Sequence, residues 1–142
     1  MIDAINAVEQ TVAANGSVLF GAARIQTGCS VRHEAGSGRF IALKPGIYSV
    51  TFVGNIAIPT GGAVDPISVA LSVDGETVAG TEAVYSPAAV EQFGNVAIST
   101  LVRVYPCGGG GVSIGVVNTS GEPILVDNAN LVILRECGGE AL

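Results

Sequence analysis

Phe40-Ile41-Ala42-Leu43-Lys44-Pro45-Gly46-Ile47-Tyr48-Ser49-Val50-Thr51-Phe52 holds two apolar runs on either side of a Lys-Pro-Gly breaker. After the breaker, Tyr48, Val50 and Phe52 fall on one side of an extended chain while Ser49 and Thr51 fall on the other. That period of two is the mark of a strand with one buried face. Gly46 permits a tight entry into the strand. Inward aromatics then fill the core of a sandwich. Phe40, Tyr48, Val50 and Phe52 are therefore the expected core.

The same alternation spreads outward from this pair. Ile67, Val69, Leu71 and Val73 alternate with Ser68, Ala70, Ser72 and Asp74, and Asp74-Gly75 is the residue pair that a two-residue hairpin turn favours. Further strands are expected over 17–25, 29–33, 39–43, 77–85, 112–117 and 124–126. Breaker clusters at 36–38, 59–62, 86–87 and 120–123 separate them. Eight to ten short antiparallel strands with regular turns make an all-β sandwich of the jelly-roll kind. The one helical pattern lies over 3–14, with Ile2, Ile5 and Val8 near one face, and it ends at Asn15-Gly16. The expected division is an N-terminal arm or anchor over 1–16, a jelly roll over 17–137 and a tail over 138–142. Ile2, Ile5 and Val8 are the anchoring candidates.

Two strands are apolar on both faces. Val96, Ile98, Val102 and Val104 share one side while Ala97, Leu101 and Tyr105 occupy the other; Leu131 and Ile133 oppose Val132 and Leu134 in the same way. A sandwich uses only one apolar face per sheet, so the second face implies a contact outside the subunit. Composition agrees. Only 13% of the 142 residues are charged and 49% are hydrophobic, against about 25% charged in a typical soluble domain. Apolar surface in excess of what one core buries marks an association site. Leu101, Tyr105, Val132 and Leu134 are the expected interface between copies of the chain.

Other functions are disfavoured by what the sequence offers. A net charge of −6 with six scattered basic residues is ill suited to neutralising phosphates, which argues against nucleic acid. No apolar run reaches the 18 or so residues of a membrane span. Asp3 and Glu9 interrupt the N-terminal stretch, so no secretion signal is read there. Cys29, Cys107 and Cys137 show no CxxC spacing, and with the lone His33 they make a zinc site only if the fold gathers all four. Free thiols are the simpler expectation. Residues 107–111 (Cys-Gly-Gly-Gly-Gly) lack the Lys-Ser/Thr ending of a phosphate loop. Asp127-Asn128-Ala129-Asn130 lacks the spaced acids of a calcium loop and reads as turn chemistry before a final strand. Cys29 and His33, four apart in a strand, would stand about 13 Å from each other, too far for a catalytic pair. No catalytic residues, metal or cofactor are expected.

The stretch quoted at the outset resembles the signature of C1q/TNF-like domains: an aromatic, five residues, then Gly-x-Tyr-x-Phe-x-aromatic. Phe40, Gly46, Tyr48 and Phe52 match in spacing, and Val50 stands where Phe is usual. Val69-Ala70-Leu71-Ser72-Val73-Asp74-Gly75 is similar to that family's hairpin strand, and residues 129–135 to its closing strand. The resemblance implies a jelly roll forming a compact homotrimer about an apolar threefold interface. Stretches such as Val12-Ala13-Ala14-Asn15-Gly16, residues 29–34 and residues 128–131 also resemble small prophage-encoded virion surface proteins, such as head fibres and capsid decorations. This second resemblance implies a structural protein on a bacteriophage virion surface, held to a capsid or stalk protein by residues 1–16. The alternative is a receptor-recognition module whose loops, 59–66 and 85–92, meet a host-surface glycan.

Overall fold

The computed structural model describes residues 1–105 and 111–138 of the chain. Twelve strands occur among them and no helix: β1 (Ile2–Asn6), β2 (Gln10–Val12), β3 (Ala23–Gln26), β4 (Val31–His33), β5 (Phe40–Ala42), β6 (Gly46–Ala57), β7 (Ile67–Val73), β8 (Glu76–Thr77), β9 (Ala83–Tyr85), β10 (Gly94–Val104), β11 (Val112–Asn118) and β12 (Ile124–Gly138). They form two antiparallel sheets. The first runs β10-β6-β12-β1-β3 with β2 also on β12; the second runs β4-β5-β11-β7-β8 with β9 also on β7. This is a jelly-roll sandwich.

The opening stretch sits where the two sheets meet. Phe40 belongs to the second sheet and Phe52 to the first, and both are fully buried, as are Tyr48 and Val50. Phe20 bridges them, its ring edge-on to Phe40 at 5.5 Å and to Phe52 at 6.3 Å. Gly46 has φ 147°, a backbone that side chains rarely tolerate. Two residues on, the Tyr48 hydroxyl donates to the Lys44 carbonyl at 2.6 Å, tying the turn to the strand that follows it. Asp74 (φ 51°) and Gly75 (φ 86°) both take positive φ between β7 and β8, the backbone of a type I′ hairpin.

The helix expected over 3–14 is replaced by β1 and β2. Ile2 pairs with Ile133 and Ala4 with Leu131, and both side chains enter the core. A weak helical pattern rich in β-branched Ile, Val and Thr yields to the pairing partner that β12 offers. Nor is 1–16 a separate appendage. β1 lies inside the first sheet, β2 extends the same side of β12, and residues 15–18 bond to residues 116–118 of β11. Of the three anchoring candidates, Ile2 is buried in the core, Ile5 is half-buried on the opposite face, and Val8 is exposed in the link between β1 and β2.

Three further expectations change, the first being the strand over 77–85, which is two short strands, β8 and β9, with residues 78–82 between them. The strand over 17–25 is a crossover: the Val18 amide donates to Val116 in the second sheet and the Gly21 amide to Ile5 in the first, before β3 begins. Residues 127–130 do not end one strand and start another. β12 is continuous, and Asn128 (φ 54°) with Ala129 forms a bulge opposite Gly54.

Candidate functional site

The outward face of the first sheet carries the largest concentration of apolar side chains that the core does not use. β6 is paired along eleven positions with β10 and along most of its length with β12, so the three strands share rows of neighbours. One row is Leu101, Ser49 and Leu134; the next is Ser99, Thr51 and Val132. Leu101 is 63% exposed and Leu134 37%, with only the small Ser49 between them. Val132 is half-buried. Tyr105 follows the end of β10, is 63% exposed, and lies under the Arg103 guanidinium at 5.5 Å from ring centre to carbon. Exposed Val53 and Ile25 and half-buried Ile5 and Ile47 widen the same surface.

The buried carboxylate on this face is neutralised locally. Asp3, on β1 and nearly buried, is ion-paired with Arg24 and accepts a hydrogen bond from the Asn130 amide. Arg103 is engaged with Tyr105 at the lower edge. Toward the other end the surface turns polar, with the Asn95 amide donating to Asn55 at 3.1 Å. β10 is an edge strand of eleven residues with no partner on its far side among the described residues. Long unpaired strand edges and contiguous exposed apolar patches are, in general, the features of surfaces that associate.

The remaining sequence candidates disperse. His33 stacks on Phe40 with ring centroids 4.0 Å apart, and its Nε2 lies 2.8 Å from the Ser37 carbonyl. The histidine is thus a cap on the core. Cys29 is exposed and unpaired; Cys107 lies outside the described residues, and Cys137 pairs its backbone with Ile47. Among the described residues no three His, Cys, Asp or Glu side chains gather to hold a metal, and no helix is long and apolar enough to cross a membrane. The 59–66 loop joins residues 120–123 around a cavity of about 510 Å³ at one end of the sandwich. Sequence reasoning missed Phe20 and Asn118, whose partners are distant in sequence.

No known family's sequence profile matches the chain, and no curated protein sequence matches it either. Solved structures do. The globular domain of zebrafish complement 1qA protein is similar with a TM-score of 0.65 and 10% identity, covering 95% of this chain and 98% of that one. Eiger TNF from S. frugiperda gives a TM-score of 0.69 and 12% identity, covering 96% and 93%. Murine APRIL gives 0.60 and 10%, covering 92% and 97%. The chain therefore has a C1q/TNF-like jelly-roll fold, reached with almost none of the same residues.

Proposed function

We propose that this chain is a non-catalytic structural module that assembles into a homotrimer through the outer face of its first sheet. The observation that carries the reading is the row Leu101-Ser49-Leu134, with Val132 in the adjoining row: large apolar groups held outward on rigid paired strands, with the buried Asp3 of the same face ion-paired to Arg24. Burying such groups contributes about 25 cal/mol per Å² of apolar surface removed from water. The low charge of the whole chain supports the same reading. A trimer is favoured over a dimer by the sequence resemblance to C1q/TNF-like domains.

The resemblance of residues 12–16, 29–34 and 128–131 to prophage-encoded proteins favours a place on a bacteriophage virion, as a head fibre or capsid decoration. Attachment to a capsid or stalk protein then falls to exposed side chains off the trimer face. Val8 is one. Leu19 is another, with its backbone held by the Gln10 side chain. Electron microscopy of phage particles with a labelled chain tests this placement, and label absent from the particle surface would contradict it.

The self-assembly reading is tested by the pair Leu101→Glu and Leu134→Glu in one chain. Both side chains point away from the core, so the variant is expected to keep its thermal unfolding transition within a few degrees. Its sedimentation is expected to fall to that of a single chain, because like charges directly opposed across an apolar contact oppose association. A double variant that sediments as the parent does would contradict the assignment of this face.

A further inference from the structure

The outer face of the second sheet is chemically the opposite of the first. It holds two adjoining concavities, of about 430 and 190 Å³, with Arg39 lining both. Their floor is open because side chains are excluded there: a Cβ on Gly38 would come within 2.8 Å of the Val18 carbonyl, and one on Gly115 within 2.7 Å of the Gly38 carbonyl. The crossing of the 17–20 segment over β11 demands these glycines. The consequence is a groove with backbone at its base.

Its walls are polar. The Arg39 Nε donates to the Ser113 hydroxyl at 3.3 Å, and the Ser113 amide donates to the Asp74 carboxylate at 2.9 Å. Ser17, Ser72 and Asn15 add further donors and acceptors on one side, and Arg32 with Glu34 stands on the other. The one ion pair among the described residues is Arg24 with Asp3, so Arg32 and Arg39 meet no carboxylate there. In a chain with twelve acidic and six basic residues, two unpaired guanidinium groups flank a single groove.

We propose that this groove binds an acidic saccharide, with its carboxylate on the Arg39 guanidinium and its ring hydroxyls on Ser113, Asp74 and Ser72. A guanidinium matches a carboxylate in geometry as well as charge. Serine hydroxyls and a carboxylate that can accept from a sugar hydroxyl complete the match to one charge surrounded by hydroxyl groups. Asp74 and Glu34 disfavour a densely anionic ligand such as a polyphosphate or nucleic acid. No Phe, Tyr or Trp ring lines the groove, and the His33 imidazole that does is already stacked on Phe40, so a single site is weak, and several copies on one assembly would raise the avidity. The groove is built by one chain and does not rest on the assembly reading.

The test titrates the isotopically labelled chain with tetragalacturonate and, separately, with its carboxyl-reduced counterpart, following amide shifts. The acidic form is expected to move resonances of β5, β11 and the Asp74-Gly75 turn, and the reduced form to leave them still. Arg39→Ala is expected to weaken binding about tenfold or more, with Arg39→Lys between it and the parent. Equal binding of the two saccharides, no shift in the groove at millimolar ligand, or unchanged binding by a folded Arg39→Ala chain would each overturn the proposal. Sedimentation of the same samples keeps this result separate from that of self-assembly: an assembled chain without groove shifts, or a monomer with them, contradicts one proposal alone.

Discussion

Asn118 is wholly buried, and its side-chain amide is the clamp at one end of the sandwich. Its Nδ2 lies 2.7 Å from the Glu122 carbonyl and 3.1 Å from that of Val12, while its Oδ1 accepts from the Ser120 amide at 2.9 Å. Replacement by Ala leaves those backbone groups without partners, and Asn118→Ala is expected to lower stability by about 2–4 kcal/mol in denaturant unfolding. Tyr48 fastens the other end. Burial raises its phenol above the usual value near 10. Because the folded chain holds this proton more tightly than the unfolded one, the contribution is fully present below about pH 10 and is lost as pH climbs through the raised value. Tyr48→Phe is expected to cost about 1–2 kcal/mol near neutrality and to remove this part of the alkaline loss, measured as unfolding free energy from pH 8 to 11.5. Tyr48 and Gly46 were legible in sequence because the turn they close is local. Asn118 was not, because a polar residue at the end of an apolar run looks like a surface residue until its partner 106 positions away is known.

At the scale of elements, the alternation of Tyr48, Val50 and Phe52 was readable because the two faces of that strand have distinct chemistry. Leu101 and Leu134 lie on strands apolar on both faces and were set apart as the face in excess of one core, while their meeting across Ser49 required the register. β1 was not readable. Its five residues carry too few alternations to outweigh a helical pattern, and what makes it a strand is β12 alongside it. The two halves of β12 looked like separate strands because a bulge at Asn128 resembles a turn in sequence. A sharp consequence follows for residues 1–9. If they were an appendage, removing them would leave a folded domain; as β1 they supply Ile2 and Ala4 to the core and cover one side of β12. Deletion of 1–9 is expected to abolish cooperative unfolding, monitored by near-ultraviolet circular dichroism. A deleted chain that melts like the parent would contradict the assignment.

The whole molecule presents two chemically different faces. The first sheet turns apolar side chains outward, and the second turns outward a polar groove flanked by Arg32 and Arg39. The proposed association through the first would leave the second facing solvent. The fold was foreseeable from periodicity, and the surplus of apolar surface from composition, since a chain with 13% charged residues has more apolar surface than one core consumes. The groove was not, because its floor is made by glycines whose crossing strands only the fold brings together. Sedimentation equilibrium at micromolar concentration tests the central claim most directly. A mass three times the 14.2 kDa of one chain is expected, and a single species at the mass of one chain would contradict it.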